Sequence, residues 1–400
     1  MEIAHADKSS FRKIENPYIV GNPIKSKELF FGWQDEFRFI RDNIAGQKGT
    51  KVILLKGGRR SGKTSMLRQI EQGNRDIAEA VFCDFHQMAP QIEKDEDVPF
   101  QIGNAILAVD TFHEFRDSFM NDSGTWTAKL GRLIGACLKK ISPKILILLW
   151  DEYEVFTERF CTETISEAAF GWIYDVKNEM VYFILTGSRQ IKYFFPESDF
   201  SPEENVQTLD INLLTENGAK DLIRKPVEGF LEYSDEVVRR IYRFSGGHPF
   251  YVQYICQLLV NHINSVTHRN HVEAADLDDV IKFIILNPAG HIQETWRSLK
   301  DEEKLTLMAL AHTIQDSNSY TNWADVLKTA KNLRLPLSNK SAIRRLKGKY
   351  MVDMQNDEKV RFQIDIFRKW IASEFQIFKE KPGICEGILE NIRRLISGRK

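Results

Sequence analysis

The stretch Lys51 to Leu67, KVILLKGGRRSGKTSML, constrains this chain more than any other, because a short apolar run stops there at two glycines and resumes as a helix-compatible segment. Gly57, Gly62, Lys63 and Thr64 complete the spacing G-x-x-x-x-G-K-[ST]. A loop of this kind turns successive backbone N–H groups toward phosphate oxygens. That calls for glycines where a Cβ would collide or where φ must be positive, and Gly57, Gly58 and Gly62 are expected to meet the need. Lys63 brings a flexible charge to the β- and γ-phosphates, the Thr64 hydroxyl can ligate Mg²⁺, and the helix opening there adds the positive end of its dipole. The loop Gly57, Gly58, Arg59, Arg60, Ser61, Gly62, Lys63, Thr64, Ser65 is therefore read as a nucleotide cradle. A chance match in a glycine turn is disfavoured by the context, a strand-like Val52 to Leu55 before it and a helix-like Ser65 to Ile70 after it.

Hydrolysis at such a loop needs a second acidic group for the metal and a base for the attacking water. Ile145 to Trp150, ILILLW, is an apolar run without alternation, as expected of a strand covered on both faces, and it ends in Asp151 and Glu152. Both carboxylates then emerge at the carboxyl edge of a parallel sheet, where open α/β sheets bind ligands. Asp151 is assigned to Mg²⁺ and Glu152 to the water; the plainer reading, a D-E that starts a surface helix, fits poorly beside the loop. Arg189 closes the next strand-like run, Tyr182 to Leu185 with Thr186-Gly187-Ser188. A cation there suits a γ-phosphate, and pairing with a local carboxylate such as Glu179 suits it as well.

Four hundred residues exceed one typical core, so two or three domains are expected. A net charge of −1 argues against a wholly basic nucleic-acid coat, and no apolar run approaches the length of a membrane span, so no membrane contact and a cytoplasmic location are expected. Cys83, Cys137, Cys161, Cys256 and Cys385 lack C-x-x-C spacing and read as buried thiols. His268 and His271 lack a third ligand, and no structural metal is assigned.

Residues 1–35 form a lead and an irregular strap, followed by the helix Gln34 to Ala45. The core at 36–213 alternates strands (Val52 to Leu55, Ala80 to Phe85, Ile145 to Trp150, Tyr182 to Leu185, Gln207 to Leu213) with helices at Phe100 to Phe119, Thr125 to Ile141 and Glu163 to Asn178. This predicts an α/β fold around a five-stranded parallel sheet. From 214 to 290 the pattern is helical, capped by Thr215 and Ser234 and started again at Pro249. Residues 291–380 offer three helices and a hairpin around Asn356-Asp357, the outline of a winged helix, and 381–400 an amphipathic tail.

The order Asn16-Pro17 with Phe30-Phe31-Gly32, GGRRSGKTS, LLWDEYE, LTGSR and Ser245-Gly246-Gly247-His248-Pro249-Phe250 resembles the STAND signal-transduction ATPases, an AAA+-like branch of P-loop enzymes. The likeness runs from about Asn16 to His262. It implies a five-stranded core, a helical lid and a winged helix, with ATP and Mg²⁺ bound. It also implies that the strap near Ile19 and Val20 lies against adenine, that Arg189 senses the γ-phosphate, and that Pro249 packs at the base. Trp33 and Gln34 replace the arginine and acidic residue usual after F-x-G, so no nucleotide role carries over to that position. The implied function is a slowly hydrolysing switch whose ATP state self-assembles or signals to a protein partner or effector. The alternative is an AAA+ ATPase that binds DNA through Lys340, Arg344, Arg345, Lys347 and Lys349 around the third helix of the winged helix. Origin-recognition ATPases, the nearest rivals, usually carry a lid arginine where this chain has His248-Pro249.

Overall fold

The computed structural model describes residues 11–46, 52–155, 172–176, 180–187, 206–211, 213–314, 319–337 and 340–374. The chain divides into two compact units, one spanning Asn22–Asn212, the other joining the residues up to Gly21 with those from Leu213 onward.

The first unit is built on a parallel sheet of β1 (Val52–Lys56), β2 (Ala78–Asp84), β3 (Ile145–Asp151), β4 (Val181–Gly187) and β5 (Val206–Asp210), in the order β2-β3-β4-β1-β5. Every residue of β3 and β4 is buried, which accounts for their continuous apolar runs. Alternate side chains serve two cores. Val52, Leu54, Leu146, Leu148, Phe183 and Leu185 face one layer, which contains α3 (Asp97–Leu107) and α4 (Trp126–Ile141). Ile53, Leu55, Ile147, Leu149 and Ile184 face the other, with α1 (Gln34–Gly46) and α2 (Lys63–Gly73). The registers Asp84↔Asp151, Lys56↔Gly187 and Lys56↔Asp210 bring the carboxyl ends of all five strands to one edge.

The expected helix Phe100 to Phe119 is interrupted. α3 ends at Leu107, Val109 turns extended at ψ 126°, and a short 3-10 turn precedes Arg116–Asn121. The break sends Phe112 into the core, where none of its surface is exposed; a straight helix would have kept the same face outward along its length. Of the expected helix Glu163 to Asn178 only Trp172–Val176 falls within the described residues. Cys83, Cys137 and Cys256 are buried free thiols, while Cys161, Cys385 and the tail beyond Glu374 lie outside the described residues.

The second unit carries α5 (Glu216–Arg224), α6 (Asp235–Ser245), α7 (Pro249–His262) and α8 (Ala274–Leu286). Thr215 and Ser234 cap α5 and α6 with side-chain oxygens that accept the Gly218 and Val237 N–H groups. A row of amide side chains on and just beyond α7 holds the extended segment near the N-terminus. Asn264 Oδ1 accepts the Ile14 N–H at 2.9 Å, Gln253 Oε1 the Ile19 N–H at 2.9 Å, and Gln257 Nε2 donates to the Tyr18 carbonyl at 3.0 Å. Gln253, Gln257 and Asn261 recur every fourth residue, so one face of α7 satisfies a strand that has no sheet to join. Gly246 and Gly247 have positive φ, and a Cβ on either would strike backbone: Gln363 O at 1.9 Å from the first, Leu214 O at 2.5 Å from the second. The G-G-H-P turn is thus dictated by close packing inside this unit.

Beyond α8 come α9 (Gly290–Ser298), α10 (Asp301–Thr313), α11 (Trp323–Asn332) and α12 (Ser341–Gly348), then the antiparallel pair β6 (Val352–Gln355) and β7 (Lys359–Phe362), and α13 (Asp365–Glu374). Thr321–Asn322 adds a third short strand beside β7. Asn356 and Asp357, both at positive φ, form the hairpin turn.

Candidate nucleotide site

The strand β1 delivers the loop to the sheet edge, and the Gly57 N–H donates to the Gly187 carbonyl at 3.2 Å, tying the loop to β4. Left-handed backbone falls on Gly62, φ 103°, and on Arg60, φ 59°, whereas Gly57 and Gly58 are not left-handed. Of the two needs that call for glycine in this loop, Gly62 meets positive φ, and an arginine takes the other left-handed turn. Gly62 is also demanded by space, since a Cβ there would meet the Trp33 indole at 3.0 Å.

Lys63 opens α2, and its ammonium donates to the Gly57 carbonyl at 2.9 Å and the Gly58 carbonyl at 2.8 Å. Burial pushes this lysine below its ordinary pKa, while Glu152, Asp151 and Glu154 pull it back up. The first amides of α2, on Lys63, Thr64 and Ser65, have no carbonyl partner inside the helix. Ser61 is 1% exposed and its hydroxyl has no partner among the described residues. Ser65 is differently engaged: its Oγ accepts the Ile24 N–H at 2.9 Å, and Gln69 Nε2 donates to the Ile24 and Lys25 carbonyls at 3.1 and 3.0 Å. A second stretch of extended chain is thus held along α2.

Asp151 ends β3 and is 4% exposed, with Oδ1 accepting the Thr186 hydroxyl at 2.6 Å. The same hydroxyl oxygen accepts the Glu152 N–H at 2.9 Å. Thr186 is fully buried and fixes both members of the pair, a role the residue order alone did not assign to it. Its signal was available: an aliphatic hydroxyl at the carboxyl end of a strand whose preceding residues, Phe183 to Leu185, are apolar. Glu152 stands at φ 53°, a sparsely populated conformation for a non-glycine residue, and is exposed.

The donor set fits a magnesium nucleotide. Among the described residues no cluster of three His, Cys, Asp or Glu side chains could hold an ion by itself, but Mg²⁺ asks for one or two protein oxygens and completes its shell with phosphate and water. Thr64 and Asp151 carry oxygens of that kind, and the orphaned Ser61 hydroxyl, the amides opening α2 and Lys63 suit phosphate oxygens.

Arg189 lies outside the described residues. Ile19 and Val20, half-buried, and Pro249, buried at the start of α7, belong to the helical unit, and the loop belongs to the sheet unit. Four of the five basic residues around α12 have local partners. Lys349 Nζ lies 2.8 Å from Glu303 Oε2, Arg345 contacts Glu302 at 2.8 Å and Glu303 at 3.4 Å, Arg344 contacts Asp357 at 2.9 Å, and Lys340 donates to the Asp357 carbonyl at 2.7 Å. The Glu303 side chain has no exposed surface. No helix among the described residues is long and apolar enough to cross a membrane.

No protein-family model matches the chain, and no curated protein does. Solved structures do. A Walker-type ATPase of Pyrococcus abyssi is 12% identical, with a TM-score of 0.57 over 88% of this chain and 98% of that one. Drosophila ORC bound to DNA (13% identity, TM-score 0.44, 92% and 94% covered) and the Thermotoga maritima RuvB Holliday junction branch migration motor (13%, 0.44, 90% and 98%) are more distant in shape. The first likeness establishes the fold, that of the P-loop ATPases.

Proposed function

We propose that the protein is an ATP-binding, slowly hydrolysing molecular switch of the STAND type, whose ATP state self-assembles or signals to a protein partner or effector. The observation that supports the ATPase part of this reading is the convergence of Lys63 with Asp151 and Glu152 at one sheet edge, the last two fixed by a single threonine hydroxyl; the switch part rests on the STAND resemblance. Lys63 would exchange its two carbonyls for the β- and γ-phosphates. Thr64 and Asp151 would hold Mg²⁺, which supplies charge neutralisation at the transferring phosphoryl group. Glu152 would accept a proton from the attacking water, its position set by the hydrogen bond from its own N–H to Thr186. Arg189 is proposed as γ-phosphate sensor, and Ile19, Val20 and Pro249 as base contacts, on the STAND resemblance alone.

The reading of DNA binding through a winged helix draws on the five basic residues near α12, but Arg345 and Lys349 are committed to carboxylates of α10, which favours an intramolecular role for that face.

A ligand shifts such an equilibrium only by its differential affinity for the two states, and a swing from mostly one state to mostly the other needs roughly 5.5 kcal/mol. Multi-angle light scattering on the full chain tests the proposal. Glu152→Gln with MgATP is expected to populate a larger assembly, or to capture its effector, where the MgADP and nucleotide-free forms do not. Identical mass and shape in all three conditions, with the physiological partner present, would leave a nucleotide-binding protein that does not switch.

A further inference from the structure

The sheet of the first unit ends on one side at β2, and part of that edge is unpaired. The Ile145 N–H donates to the Ile77 carbonyl at 3.1 Å, and from there Ala78 to Asp84 run in parallel register with Ile145 to Asp151. In a parallel ladder a residue sends its N–H and C=O to the same side, and successive residues alternate sides. Ile77, Glu79, Val81 and Cys83 therefore serve β3, while Ala80 and Phe82 turn both groups outward, followed by the Asp84 N–H. Among the described residues no other element supplies hydrogen bonds to these groups. Such a row is a template for one more strand. The edge is also recessed: a cavity of about 470 Å³ runs over Phe82 and Asp84, walled by Arg68 and Glu71 of α2 on one face of the sheet and by Gln101, Asn104, Ala105 and Ala108 at α3 on the other. The Arg68 guanidinium lies 3.4 Å from the Phe82 ring centroid and pairs with Glu71 at 3.0 Å, which fixes the first wall. On the second, Gln101 and Asn104 stand one turn apart, half-buried, and their side chains form no hydrogen bond among the described residues. Helix amides hold extended chain elsewhere in this protein, Gln253 and Gln257 on α7 and Gln69 on α2, and α3 presents the same chemistry beside an open edge.

We propose that this groove is the docking site for an extended segment of a protein partner, which adds as a further strand beside β2. The occupant is a single extended chain rather than the β2 of a second copy, because a second β2 lies between its own α2 and α3 and the helices of the two copies would meet before the strands did. Its chemistry follows from the walls. Side chains alternate across a strand, so one set faces the charged wall of Arg68 and Glu71 and the other the small residues Ala105 and Ala108. The segment that fits alternates polar with small apolar residues. Its main chain bonds to Ala80 and Phe82, and the Gln101 and Asn104 amides take peptide groups that the edge does not reach. The inference rests on the edge and its walls, not on the nucleotide reading.

Random peptides displayed on phage and selected against the full chain are the probe, and the selected peptide is then synthesised and its affinity measured by fluorescence anisotropy. The selected sequences should share the alternating pattern. Ala80→Pro should weaken the peptide roughly tenfold or more, since it removes an outward N–H and strands a peptide carbonyl. That N–H does not serve β3, so the circular dichroism spectrum should stay at wild type. Ala108→Trp fills the groove from its exposed rim and should weaken the peptide at least as much, and it carries the test if Ala80→Pro does not fold. Folded variants that bind the peptide within about twofold of wild type, or a selection that yields no peptide, overturn the proposal. So does light scattering in which the wild type self-associates and Ala80→Pro is a monomer, which would make a second copy the occupant of the edge.

Discussion

Lys63 and Lys349 are both lysines near carboxylates at the end or start of helical turns, yet their surroundings set them apart. The ammonium of Lys63 is held by two backbone carbonyls, at 2.9 and 2.8 Å, and feels Glu152, Asp151 and Glu154 as a field. That of Lys349 is clamped at 2.8 Å by Glu303, whose side chain has no exposed surface. Carbonyls are neutral acceptors that a phosphate outcompetes; a buried carboxylate is a full counter-charge that would be stranded if its cation left. The difference separates a cation poised for an incoming anion from one already spent on the fold. A cluster of basic residues in a sequence does not reveal which of these it is.

The widest gap between the two regions should come from the same conservative change made in each. Glu152→Gln is expected to cut ATP turnover by about 10²- to 10⁴-fold while retaining MgATP, since the amide keeps the shape but accepts no proton. Glu303→Gln should leave turnover per folded molecule unchanged. A phosphate-release assay beside equilibrium nucleotide binding reads both. Wild-type turnover by Glu152→Gln would move the base elsewhere.

Next in size is the loss of each lysine. Lys63→Ala should weaken ATP by roughly a hundredfold, the scale of two charge-assisted hydrogen bonds to phosphate. Lys349→Ala should not change nucleotide affinity at all. Calorimetry distinguishes them, and unchanged ATP affinity in folded Lys63→Ala would remove the cradle assignment.

Much of the sheet unit was legible because its signals are local. The apolar run of β3 reads as a strand covered on both faces, and the glycine-lysine-threonine spacing places the loop between β1 and α2 without any tertiary information. The errors arose where the determinant is distant. No local pattern says that Phe112 must enter the core and so break the helix after Leu107. Thr186 looked like the tail of a strand, and its importance lies in the register that sets it beside Asp151. Likewise the residue before proline in G-G-H-P reads as a motif, whereas its two glycines answer to Gln363 and Leu214, far along the chain. The amide row Gln253, Gln257, Asn261 was visible as a four-residue repeat, but its partner, an extended segment some 240 residues earlier, was not.

A smaller effect, of stability, follows from the two carboxylate networks. Burial alone would raise the pKa of Glu303, but the Lys349 ammonium, the Lys300 N–H and Arg345 outweigh it and hold it below the ordinary value. A carboxylate depressed on folding stabilises the protein above its unfolded pKa and loses that contribution as pH falls through the folded one. Glu303→Gln should therefore cost about 1–3 kcal/mol near neutrality, and its gap from wild type should shrink below roughly pH 4. Thr186→Val should cost a comparable 1–3 kcal/mol by stranding Asp151 Oδ1 and the Glu152 N–H. Urea melts of the wild type and Glu303→Gln from pH 3 to 8 make the measurement; a gap that stays constant across that range would mean that Glu303 is not the counter-charge described.

The smallest effect expected is on DNA, and it bears most directly on what the basic helix is for. Were all five of Lys340, Arg344, Arg345, Lys347 and Lys349 to neutralise phosphates, log K for duplex binding would fall with log salt at a slope of roughly −4.5, at about −0.9 per contact. Arg345 and Lys349 are already paired with Glu302 and Glu303, and stripping them for DNA would leave the buried Glu303 uncompensated. Arg344 is different, since it and Asp357 are 64% and 62% exposed in their pair, and such a pair exchanges for phosphate at little cost. Any duplex binding should accordingly show a slope no steeper than about −2 to −3, carried by Lys340, Arg344 and Lys347. Arg344→Ala with Lys347→Ala should flatten it by about two contacts, and Arg345→Ala with Lys349→Ala should leave it unchanged while lowering stability. Fluorescence anisotropy on a labelled duplex across a salt series makes the measurement. A steep slope that responds to Arg345 and Lys349 would show that the carboxylate clamp opens for DNA, and the contrast between the two lysines would then be one of ligand rather than of availability.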